Sequence, residues 1–82
     1  MAIQDATYDS ENDVLYVQFS DSEVERTVAL DDLRLVDYDA RGEPLGIEFI
    51  AASEGLDLSE LPFADRIAPI LAQHGLDFPI FA

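Results

Sequence analysis

No cysteine occurs in the sequence, which removes disulfides, thiolate metal sites and cysteine nucleophiles together. Lysine is absent too, and the four basic residues are Arg26, Arg34, Arg41 and Arg66. No apolar run approaches the roughly 18–20 residues that a bilayer span requires, so no membrane partner is expected. The opening residues MAIQDATYDS carry neither the basic flank nor the apolar core of a signal peptide, and a cytoplasmic location is the expectation. Gly42, Gly46, Gly55 and Gly75 are too scattered for a phosphate-binding loop. No serine has the glycine-flanked setting of a nucleophile elbow.

What is abundant is negative charge. Eighteen acidic residues face four basic ones, for a formal net charge of -14. Such a surface repels phosphate backbones, which argues against nucleic acid as a partner. It attracts a basic protein and speeds its approach. It also stays hydrated in a saline cytosol, where self-repulsion is screened. The length of 82 residues and the 49% hydrophobic content fit one globular domain, residues 1–82. A chain of this size hides only roughly 60–65% of its unfolded surface, so a homodimer is expected.

Residues 2–53 read as a sheet. Ala2–Tyr8 is a candidate first strand, and Asp9–Asp13 is a turn of residues that bond their own backbone. Val14–Phe19 and Val24–Leu30 are β-branched and aromatic enough for strands, and Leu33–Ser53 reads as a hairpin around Ala40-Arg41-Gly42. Gly42 stands where a three-residue loop needs a left-handed residue.

Closing each link by the shortest turn predicts a register. Leu35 faces Ile47, Leu33 faces Phe49, Val28 faces Leu35, Arg26 faces Asp37, and Phe19 faces Val24. One face then carries Leu15, Val17, Phe19, Val24, Val28, Leu30, Leu33, Leu35, Leu45, Ile47 and Phe49. The other carries Tyr16, Thr27, Val36, Tyr38 and Ile50, with Arg34 opposite Glu48.

Residues 54–82 change period. Pro62 suits a first helical turn, and Phe63, Ile67, Ile70, Leu71 and His74 share a stripe that ends at Gly75. Pro69 is expected to kink or split this helix. The apolar tail 76–82 is expected to dock on its own sheet or a partner's. The fold expected is α+β: an antiparallel four- to five-stranded β-meander packed on one face by a C-terminal helix.

Tyr8-Asp9, Asp13–Val17, Val36–Asp39, Gly42, Gly46–Ile50 and Ala52-Ser53 together resemble the small prokaryotic family called domain of unknown function 2283. The resemblance covers about residues 8–53, and Gly46-Ile47-Glu48 after an aspartate-rich hairpin is its most specific part. It implies the sheet and no mechanism. Relatives encoded beside small toxin-like ribonuclease genes imply an inhibitor role.

No catalytic, cofactor-binding or metal-binding constellation emerges from the residues. Asp9, Glu11 and Asp13 have the alternation of a calcium loop, but Val14 stands where that loop needs glycine. Asp37, Asp39 and Glu48 suggest paired acids, yet the register above sends Asp37 and Glu48 to opposite faces, each beside an arginine. A lone His74 at a helix end serves best as a favourable end charge. A half-apolar second face and an apolar tail suggest a partner interface instead, at Tyr16, Val36, Tyr38, Ile50, Phe78, Ile80 and Phe81. The function expected is a non-enzymatic, acidic protein-interaction module, antitoxin-like in its sharpest form. The alternative is a small-ligand or divalent-cation binder using clustered carboxylates.

Overall fold

Among the described residues, 4–81, the structure, a computed structural model, has seven strands, one α-helix and a short 3₁₀ turn at Ala52–Glu54. The strands are β1 (Asp5–Asp9), β2 (Val14–Gln18), β3 (Arg26–Ala29), β4 (Arg34–Tyr38), β5 (Pro44–Ile50), β6 (Leu56–Asp57) and β7 (Ile80–Phe81), and the helix α1 is Ala64–Gln73. The first five form an antiparallel sheet that α1 covers on one face, as the α+β reading predicts. The first strand is found, at Asp5–Asp9; the part of that expectation on residues 2 and 3 lies outside the described residues.

The strand order is β1-β2-β5-β4-β3, so the continuous meander is corrected. β2 pairs with β5 and not with β3, which leaves β3, β4 and β5 as a meander and closes a Greek key. Burial explains the choice. β2 and β5 are the most apolar strands, and side by side they set Leu15 against Phe49 and Val17 against Ile47, each of them almost wholly buried. The meander would have set β2 against Arg26 and Thr27. The link 19–25 must cross three strand spacings, about 14 Å, which seven extended residues span with length to spare.

The register is corrected as well, by one residue. Near the loop the expected pairing holds: Asp39 N–H donates to Glu43 O at 3.0 Å, and Gly42 adopts φ +81°. Between Tyr38↔Pro44 and Asp37↔Gly46 the ladder slips. Leu45 is the extra residue, and its carbonyl accepts both Phe19 N–H and Ser20 N–H, from the two residues that follow β2. Beyond this bulge Val36 faces Ile47 and Arg34 faces Phe49. A slip of one residue exchanges the two faces of a strand. Val36 is therefore 3% exposed in the core, and Leu33 is 52% exposed.

α1 lays Ile67, Ile70 and Leu71 on the core face, against Leu15, Val17, Phe19, Val36, Ile47 and Phe49. Pro69 does not split it; both Pro69 and Asp65, whose carbonyl loses its donor, are exposed, which leaves that carbonyl accessible to solvent. The helix ends as expected at Gly75, φ +67°. Gly75 N–H donates to Ala72 O and Leu76 N–H to Leu71 O, the paired bonds of a Schellman cap. The tail docks on its own chain. β7 runs parallel to β6, with Leu56 N–H donating to Pro79 O and Leu58 N–H to Phe81 O, each at 2.8 Å.

Candidate functional site

Two polar knots hold the sheet, and each uses residues of the resemblance pattern. In the first, the tight turn after β1 puts Asp13 in a left-handed conformation, φ 56°. Its Oδ1 accepts Tyr8 Oη at 2.7 Å and Ser53 N at 2.9 Å, and its Oδ2 accepts Ser53 Oγ at 2.6 Å. Hydrogen bonds from the Ser53 hydroxyl, and then from the Tyr8 phenol, hold the Asp13 carboxyl below its ordinary range. Because its folded-state pKa is depressed, its stabilisation is present above the ordinary carboxylate pKa and disappears as pH falls through the folded value. The melting temperature is expected to fall from about pH 4 downward. Asp13→Asn should lower it at pH 7 and converge on the wild type by pH 2; an equal gap at both pH values would contradict this.

The second knot stands on the uncovered face. Tyr16 Oη donates to Asp37 Oδ2 at 2.8 Å, and Thr27 Oγ1 donates to Asp37 Oδ1. Burial, and then the Asp37 hydrogen bond, push the Tyr16 phenol well up from its ordinary pKa. Tyr16 and Asp37 lie on either side of Gly46, and the phenol passes directly over that glycine. Glu48 shares this face, since it pairs with Tyr16 on one side and Leu35 on the other. Asp37 and Glu48 therefore do not point to opposite faces. Neither has the arginine expected for it, because Arg26 stands opposite Tyr38 and Arg34 opposite Phe49.

The arginines are engaged elsewhere. Arg34 is 7% exposed; its Nε and Nη2 reach Asp31 Oδ2 at 3.0 and 2.7 Å, and its Nη1 donates to the carbonyls of Asp57 (3.0 Å) and Ser59 (2.6 Å). It bolts β4 to the segment around β6. A cleft of about 60 Å³ beside it, lined by Leu33, Phe49, Ile50 and Gly55 among others, has room for little more than water. Arg26 lies over the Tyr38 ring at 4.9 Å and Arg66 over the Phe63 ring at 4.5 Å. Among the described residues, no three His, Asp or Glu side chains gather as a metal ion would need. His74 caps the end of α1 and approaches Asp5 Oδ1 at 3.4 Å, joining helix to sheet.

The expected interface residues scatter. Tyr16 and Ile50 are on the uncovered face, as predicted. Val36 and Tyr38 are not, because the slipped register turns both to the core face. Phe78 packs edge-on against the Tyr8 ring at 4.9 Å, beside the core. Ile80 and Phe81 are 42% and 57% exposed, and the Phe81 ring lies against Gly55.

The surface missed from sequence is β3 and its flanks. Every residue from Asp21 to Leu33 is exposed, including Val24 (48%), Val28 (44%), Leu30 (38%) and Leu33. A small monomer seldom spends so many branched aliphatics on water within one short segment. Composition alone hid this, because a Val- and Leu-rich strand looks like a core strand wherever it lies.

Two further facts complete the description. No helix among the described residues is long and apolar enough to cross a membrane. The family model described as "Protein of unknown function (DUF2283)" matches residues 6–53, which include both polar knots. Searches of curated proteins and of solved structures gave no match.

Proposed function

The chain belongs to the DUF2283 family, to which no activity is attached, and we propose from its surface that it is a non-enzymatic module that binds a basic protein. The observation that carries this is the segment Asp21–Leu33, where exposed aliphatics alternate with Asp21, Glu23, Glu25, Asp31 and Asp32. Apolar contact supplies the area of an interface, and the acids around it select the sign of the partner. Of those acids Arg34 offsets Asp31, while among the described residues no ion pair engages Asp21, Glu23, Glu25 or Asp32. In its sharpest form the module inhibits a basic enzyme by covering its site, in the manner of an antitoxin.

Affinity purification of the full chain from its native lysate tests the reading. A basic protein should co-purify at about 50 mM salt and be largely lost by about 300 mM, where the screening length falls to roughly 6 Å. Recovery of no basic protein at either salt would sink it.

A further inference from the structure

Resting on that reading, we infer that the free edge of β3 takes an extended segment of a basic protein as an added strand of the sheet. β3 ends the strand order, and nothing among the described residues covers its outer side. Leu30 N–H turns inward to Arg34 O at 2.8 Å. The alternation of an antiparallel ladder then directs Val28 and Arg26 toward β4 as well, and leaves Thr27 and Ala29 with N–H and C=O pointing out. Those groups are the template that an incoming strand completes.

Edges are normally guarded by a charge in mid-strand, a proline or a covering element. The other edge, β1, begins and ends in aspartate and has α1 against it. β3 is guarded by its short length alone: it has four residues, no proline and no covering element, and its single charge, Arg26, lies back over Tyr38. An added strand would lie beside Val28 on one face of the sheet and beside Thr27 and Ala29 on the other.

Charge decides the occupant. Glu23 and Glu25 precede the strand, and Asp31 and Asp32 follow it. A second copy pairing antiparallel would bring the acids at its own start toward those at this strand's end. A segment with arginine or lysine flanking alternating apolar residues meets opposite charge at both ends.

The test uses amide hydrogen exchange of the isotopically labelled full chain. The probe is a synthetic peptide of alternating valine and threonine between arginine pairs, with a glutamate-flanked peptide as control. Exchange at Thr27 and Ala29 should slow at least about tenfold with the arginine peptide at low salt, and not with the control. Ala29→Pro, which removes an outward N–H, should abolish the effect. Val28→Lys, a change at an exposed side chain, should weaken it and keeps the test valid should the proline variant fold poorly.

Binding with shifts at Tyr16 and Ile50 but no protection of Thr27 and Ala29 would overturn the edge, yet leave the wider reading standing. Protection already present without peptide and rising with protein concentration would assign the edge to a second copy and overturn the inference. No binding of the arginine peptide overturns it too; the wider reading then falls only if the lysate also yields no basic protein.

Discussion

Replacing Arg34 with alanine should destabilise the protein by about 2–4 kcal/mol, the range for removing one partner from a buried charged network. In a domain of this size that lowers the melting temperature by roughly 10–20 °C. The ion pair is not the main reason. The Asp31 side chain is 45% exposed, so the charge pairing alone is a minor contribution. The larger loss is the guanidinium's geometry: one planar group bonds Asp31 on one side and the carbonyls of Asp57 and Ser59 on the other. Two stretches far apart in sequence are fixed by it, and β7 is hydrogen-bonded to one of them.

Arg34→Lys should recover less than half of the loss, because a single ammonium cannot face both sides. Asp31→Asn should cost less than about 1 kcal/mol, in line with exposed ion pairs. Urea unfolding of the three variants measures this. Should Asp31→Asn cost as much as Arg34→Ala, the carbonyl contacts would be irrelevant and the account would fail.

Gly46→Val should cost about 2–3 kcal/mol, the scale of an overpacked interior position together with a lost charge-assisted hydrogen bond. A Cβ on Gly46 would collide with Tyr16 Oη and stand 2.5 Å from Tyr16 Cζ, so the ring must leave its place and Asp37 loses its phenol. The Val17 carbonyl at 3.0 Å leaves no room to shift the other way. Glycine within a strand is otherwise unfavourable by about 0.5–1 kcal/mol relative to alanine, so clearance for Tyr16 is what maintains it here.

The cause can be isolated by a double-mutant cycle. Gly46→Ala should be clearly destabilising in the wild type and much less so when Tyr16 is already alanine, where only the tight Val17 carbonyl contact is left. Equal costs in both backgrounds would show that the tyrosine is not the obstacle.

The sequence was most legible where the physics is local. The Asp9–Asp13 turn, the Gly42 loop and the Gly75 stop were each read correctly, since each depends on a few neighbouring residues and their backbone preferences. Of the stripe Phe63, Ile67, Ile70, Leu71 and His74, the middle three are the buried side of α1 for the same reason; Phe63 and His74 fall at the two caps, outside the helix, and are exposed. Assigning Val36 and Tyr38 to the uncovered face failed because one bulge at Leu45, held by Phe19 and Ser20 just past β2, lies between a correct loop and a shifted ladder. No pattern within the hairpin announces it.

The sequence by itself determined the kind of fold, the places where the chain turns, the charge, and the kinship carried by residues 6–53. Tertiary structure decided which strands are neighbours and which face each side chain takes. Strand order follows from burying the most apolar strands side by side, a comparison across the whole chain that no local window contains. That comparison sent β3 to the rim, with its valines and leucines facing water and two of its peptide groups pointing out. The surface proposed to carry the function exists only because of that choice.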